Sequence, residues 1–151
     1  MKEDPMNTNT SQDSDGAIPG GTYVETTRDI TVSVEPYYLS DQSEPAQRHY
    51  VWAYHVKIEN NGTEVIQLTH RHWRITDSAG HTQEVSGEGV VGEQPTLRPG
   101  ESFEYTSGTP LSTPSGIMVG TYMMVSGTGE RFAVAIPAFS LDSPHEPHRL
   151  H

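Results

Sequence analysis

Two short segments hold the residue types able to do chemistry in this chain. His70-Arg71-His72-Trp73-Arg74 is its dense basic cluster, and Gly87-Glu88-Gly89-Val90-Val91-Gly92 spaces its glycines as G-x-G-x-x-G. In a dinucleotide fold that spacing opens a helix whose N-terminus holds a pyrophosphate. Here Glu93-Gln94-Pro95 and Pro99-Gly100 follow, so no helix fits and that reading fails. Two readings remain: a turn-rich connection, or an anion nest of successive backbone N–H groups. In the nest, Gly87, Gly89 and Gly92 converge on an anion, and Arg71 or Arg74 adds a guanidinium fork. The alternative for the basic cluster is that Trp73 is core and its polar neighbours flank a bulge. His70 and His72 share one strand face, but no carboxylate in that segment completes a metal set. His145, His148 and His151 lie in the terminal SPHEPHRLH, where Pro144 and Pro147 suggest an extended end able to bind a transition metal only weakly. No nucleophile elbow or comparable signature gathers the serines, histidines and aspartates. No catalytic residue, resident metal or cofactor is expected.

The elements that must position these residues read as strands. Ile30, Val32 and Val34 alternate with polar residues, and Tyr50, Trp52, Tyr54, Val56 and Ile58 repeat the pattern before an Asn60-Asn61-Gly62 turn. The next strand begins apolar on even positions, Ile66 and Leu68, and continues on odd ones, Trp73 and Ile75. That parity switch predicts a bulge between Thr69 and His72, a device that lets one strand pass between two sheets. A turn at Ser78-Ala79-Gly80 leads to a return strand over His81–Val85. The segment Glu84–Thr113 reads as an ordered turn-rich connection with a strand over Ser102–Ser107. Gly116–Val125 is apolar on both parities and is expected to be central. Phe132, Val134 and Ile136 form the last strand, with Phe139 and Leu141 closing the core. No window keeps a helical period, so the expected fold is an antiparallel β-sandwich of immunoglobulin or fibronectin type III kind with seven to eight strands.

Composition bounds the rest. The 151 residues suit one domain and carry a net charge of −11, which disfavours nucleic acid as a partner. There is no cysteine and no apolar run long enough to span a membrane, so a cytoplasmic protein is expected. Residues 1–21 read as a disordered acidic tail, 22–142 as the sandwich and 143–151 as a second tail rich in His and Pro.

The runs Leu68–Gly80 (LTHRHWRITDSAG), Glu84–Leu111 (EVSGEGVVGEQPTLRPGESFEYTSGTPL) and Thr113–Met124 (TPSGIMVGTYMM) resemble the ApaG family, also known as CorD. The resemblance covers about residues 28–151. It implies a fibronectin type III-like sandwich with no established catalysis. It also implies a link to cobalt tolerance and magnesium efflux, and in eukaryotes a domain attached to F-box and polymerase-interacting proteins. The family's glycine motif falls on Gly87, Gly89 and Gly92 and has been thought to suit a pyrophosphate. His70 departs from the expected small residue and Thr109 from a frequent cysteine, which removes any thiol role. The reading is a non-enzymatic module that binds an unidentified protein partner, with a pyrophosphate or nucleotide as candidate ligand. The alternative is an enzyme or regulator acting on nucleoside polyphosphates.

Overall fold

The computed structural model describes residues 16–145. The strands are β1 (Ala17–Pro19), β2 (Tyr23–Thr27), β3 (Ile30–Leu39), β4 (Tyr50–Asn60), β5 (Ile66–Asp77), β6 (Thr82–Glu88), β7 (Thr96–Leu97), β8 (Ser102–Leu111), β9 (Ser115–Ser126) and β10 (Arg131–Asp142). One sheet runs β3-β4-β8 with β1 and β2 both on the far side of β3. The other runs β10-β9-β5-β6, with β7 also on β5. Every pairing is antiparallel, and the two sheets form the expected sandwich. Among the described residues no helix is long and apolar enough to cross a membrane.

The inward faces interlock around aromatic rings. Trp73 on β5 meets Tyr54 at 5.5 Å and Phe139 at 5.9 Å between centroids, both edge-on. Gly120 on β9 stands opposite Trp73 in the register, and a Cβ there would lie 2.9 Å from the indole. The indole therefore occupies volume that only glycine leaves empty.

Several boundaries differ from the sequence expectation. β1 lies inside the segment expected to be tail, pairing Ala17–Pro19 with Leu39–Tyr37. Residues 1–15 lie outside the described residues, as do His148 and His151. β2 and β3 form a tight hairpin whose turn residues Arg28 and Asp29 take φ of 49° and 67°. That turn lacks the Asn-Gly or Asp-Gly signature, so no local hairpin cue marks β2. The start of the second expected tail is packed: Ser143 is buried, and the His145 ring stands 6.0 Å from Tyr38.

β9 is internal as expected, yet only one of its faces is buried. Met118, Tyr122 and Met124 point inward while Ile117, Val119 and Met123 are exposed. The bulge in β5 is present: Leu68 faces Met124 and His70 faces Met123, leaving Thr69 as the extra residue. It does not carry the strand between sheets, since β5 pairs with β9 on both sides of it.

The β2–β3 turn is tied to the β9–β10 turn by a two-pronged ion pair. Arg28 Nη1 and Nη2 each donate to a Glu130 carboxylate oxygen at 3.0 Å, and the guanidinium sits 4.2 Å over the Phe132 ring.

Two outcomes follow from this packing. Trp73→Ala removes a nearly fully buried ring and is expected to lose roughly 3–5 kcal/mol in denaturant unfolding. Hydrogen bonding from Arg28, then its charge, holds the Glu130 carboxyl below its ordinary range. A carboxyl depressed in the folded state stabilises above its unfolded pKa, and that contribution is lost as pH falls through the folded value. Glu130→Gln should therefore melt below wild type at neutral pH, with the gap closing as pH falls through the lowered folded-state value.

Candidate functional site

The β5–β6 ladder brings the two chemistry-bearing segments together, placing His70 opposite Glu88, Arg71 opposite Gly87, His72 opposite Ser86 and Arg74 opposite Glu84. Strand alternation then separates the two arginines. Arg74 points to the outer face and lies 3.8 Å from Glu84. Arg71 points to the inner face, arches over Gly87, and donates through Nη1 to the carbonyls of Glu88 at 3.0 Å and Gly89 at 2.8 Å. A Cβ on Gly87 would meet that guanidinium at 3.0 Å, so the missing side chain is what admits it.

The glycine segment is a hairpin. The Gly89 amide donates to the Thr69 carbonyl at 2.8 Å. Val90 and Glu93 exchange both backbone hydrogen bonds at 2.8 Å, closing a two-residue turn of Val91 and Gly92. Those residues take φ of 43° and 82°, the double positive signature of a primed hairpin turn. Valine is badly suited to that region, and Val91 is 55% exposed at the tip while Val90 is buried in the core. The return limb then fastens onto the bulge: Gln94 Nε2 donates to the Thr69 carbonyl at 2.9 Å, and β7 pairs with Ile66 and Gln67.

The structure therefore brings Gly87 and Gly89 to Arg71 and leaves Arg74 on the opposite face. Gly87 lies in the ladder opposite Arg71, the Gly89 amide is bonded to Thr69, and Gly92 stands at the hairpin tip. Arg71 Nη1 is directed at two carbonyls.

Below Arg71 lie three tyrosines. The Tyr105 and Tyr122 hydroxyls are hydrogen bonded at 2.5 Å. Burial raises the pKa of Tyr54, Tyr105 and Tyr122, and the charge of Arg71 pulls each in the other direction. Burial wins in all three, so the phenols stay protonated and serve as packing and hydrogen-bonding groups.

Sequence reasoning missed one constellation. On the outer face of the other sheet, His55 Nδ1 meets Thr106 Oγ1 at 2.8 Å and Nε2 meets Glu104 Oε1 at 2.7 Å. Hydroxyl, imidazole and carboxylate are in line as in a catalytic triad. They stand on adjacent strands of a sheet face, with no convergent backbone donors for an oxyanion, and read as a cross-strand network. The signal was available only in the β4–β8 register, since 49 residues separate His55 from Glu104. Among the described residues no three His, Cys, Asp or Glu side chains are grouped to share a metal ion.

A Cβ on Gly89 would collide with the Glu93 carbonyl oxygen, and its φ of 65° is itself unfavourable for a branched residue. Gly89→Val is expected to lose more than about 1 kcal/mol in thermal or urea unfolding; a neutral variant would show that the hairpin is not held as described.

Comparison with known proteins places this geometry among relatives. The family model described as ApaG domain matches residues 40–126. The chain is 65% identical over 128 residues to Protein ApaG of Paramagnetospirillum magneticum, covering 85% of this chain and 98% of that one. It is 67% identical over 123 residues to Protein ApaG of Rhodospirillum centenum, covering 82% and 95%. Among solved structures, the putative ApaA protein from Bordetella pertussis superposes with a TM-score of 0.75 at 53% identity, covering 78% of this chain and 96% of that one.

Proposed function

This chain belongs to the ApaG family, and from that premise we propose that it is a non-catalytic module that binds a partner protein in the cytoplasm. The observation that carries the reading is the outer face of the β10-β9-β5-β6 sheet. Ile117, Val119 and Met123 stand there 54%, 37% and 36% exposed. In the register Thr76 is beside Ile117, Arg74 beside Val119 and His70 beside Met123, while Ala133 flanks Met123 on the other side. An apolar stripe flanked by Arg74 and His70, with Glu84 and Glu88 beyond them on β6, suits a partner segment of apolar residues with charged flanks. The other sheet contrasts with it, presenting Glu35, Glu59 and Glu104 on its outer side.

The two competing readings have less support. An anion of the pyrophosphate or nucleotide class would meet a Gly89 amide already bonded to Thr69 and an Arg71 directed at two carbonyls. Chemistry on nucleoside polyphosphates calls for gathered carboxylates, and the acidic side chains here are dispersed over strand faces. In this proposal the family's link to cobalt tolerance and magnesium efflux runs through the bound partner.

Immobilised wild type should retain a protein from cell lysate that the Ile117→Lys/Val119→Lys double variant does not, with both melting alike. Retention should weaken as salt is raised and in Arg74→Glu. Equal retention by the double variant would move the binding site elsewhere.

A further inference from the structure

We propose that the free edge of β6 accepts an added β-strand from a partner, a segment alternating apolar and basic residues. Among the described residues β6 pairs only with β5. The bonded pairs include Asp77 with His81 at one end and Thr69 with Gly89 at the other, both odd positions of the β6 limb. Antiparallel alternation therefore directs the backbone N–H and C=O of Thr82, Glu84, Ser86 and Glu88 away from β5. Arg71 caps the Glu88 carbonyl, which sets one end of the open run. From Thr82 to Ser86 the row carries no proline, lysine or bulge, the usual guards of an edge.

The other long edges differ in kind. On β8 the bonded pair Asn60–Glu101 directs Ser102, Glu104, Thr106 and Gly108 outward, and the row stops at Pro110, which has no donor. That row offers no exposed inner-face apolar side chain like Val85 beside it. On β10 the outward Ala135 amide is bonded to Thr27 Oγ1, and a register shift follows between Ile136 and Phe139.

The side chains of β6 define what would pair with it. Val85 is 40% exposed on the inner face, opposite the buried Trp73. An apolar side chain arriving beside Val85 would cover the rim of the core. Glu84 and Glu88 stand on the outer face, where Lys or Arg on an added strand would be their cross-strand neighbours. This surface lies two strands from the β9 stripe, so it is a separate docking site and does not rest on the reading above.

The test uses the whole ¹⁵N-labelled chain and the capped heptapeptide Lys-Val-Arg-Val-Lys-Val-Arg. Peptide should shift the Thr82, Glu84 and Ser86 amides and slow their hydrogen exchange. Ser86→Pro removes an outward N–H and the exposed Ser86 Oγ–His72 Nδ1 hydrogen bond but no bond of the β5–β6 ladder, so it should fold and weaken the peptide at least tenfold. Ser86→Ala, which loses only the hydroxyl, should bind as wild type; Glu84→Lys should weaken binding as well. Ile117→Lys/Val119→Lys should bind as wild type. No shift at millimolar peptide, shifts confined to other strands, or undiminished binding by a folded Ser86→Pro would each overturn the proposal. A dimer of the protein alone that Ser86→Pro abolishes would overturn the assignment to a partner, giving the edge to a second copy.

Discussion

The one extra residue at Thr69 is the constraint on which the rest of the molecule depends. By shifting β5 one position against β9, it lets Leu68 and Trp73 reach the same core although one is even and the other odd. A slip of one residue turns every side chain of a strand over. Without the bulge, Trp73 would leave the core and Arg74 would enter it. The same residue anchors the loop. The Thr69 carbonyl, which continues the β5–β6 register, takes the Gly89 amide and the Gln94 side chain. Its hydroxyl donates to the Met123 carbonyl, steadying β9 from the other side.

Seen from that anchor, the glycine spacing has a mechanical meaning. Gly87 leaves room for the Arg71 guanidinium, Gly89 lets the chain turn against Glu93, and Gly92 completes a primed turn. Each glycine answers a different steric demand, and together they make a rigid hairpin whose inner limb delivers Val90 to the core. Arg71 is the pin. Its arch over Gly87 satisfies two carbonyls that would otherwise end the ladder unpaired, while its charge lies over three phenols that burial keeps neutral. Val91 stands out among the non-glycine residues at positive φ as the branched one, and it is exposed.

The surface is as uneven as the interior is regular. One sheet shows mixed charged groups outward; the other shows an apolar stripe flanked by Arg74 and His70, with Glu84 and Glu88 beyond. Of the long strand edges, β8 ends in a proline, β10 is covered from the side of β2, and β6 is open between its Arg71 cap and the next turn.

What the sequence determined was whatever depends on local period. Alternation placed Ile30, Val32, Val34 and the residues from Tyr50 to Ile58, and the parity switch located the bulge to within a few residues. Glycine and proline marked the hairpin as a turn before its shape was known. Tertiary structure decided the matters that depend on register between distant segments. Nothing near Trp73 announces that Gly120 makes room for it, and nothing near His55 announces Glu104 and Thr106. Ile117, Val119 and Met123 looked like the second face of a buried strand. Apolar character alone cannot say whether another layer exists to cover a face, and here β9 is covered on one side only. The separation of Arg71 from Arg74 follows from alternation once the bulge is fixed. The commitment of the Gly89 amide does not, because it depends on a carbonyl twenty residues away in the chain, brought opposite it only by the β5–β6 register.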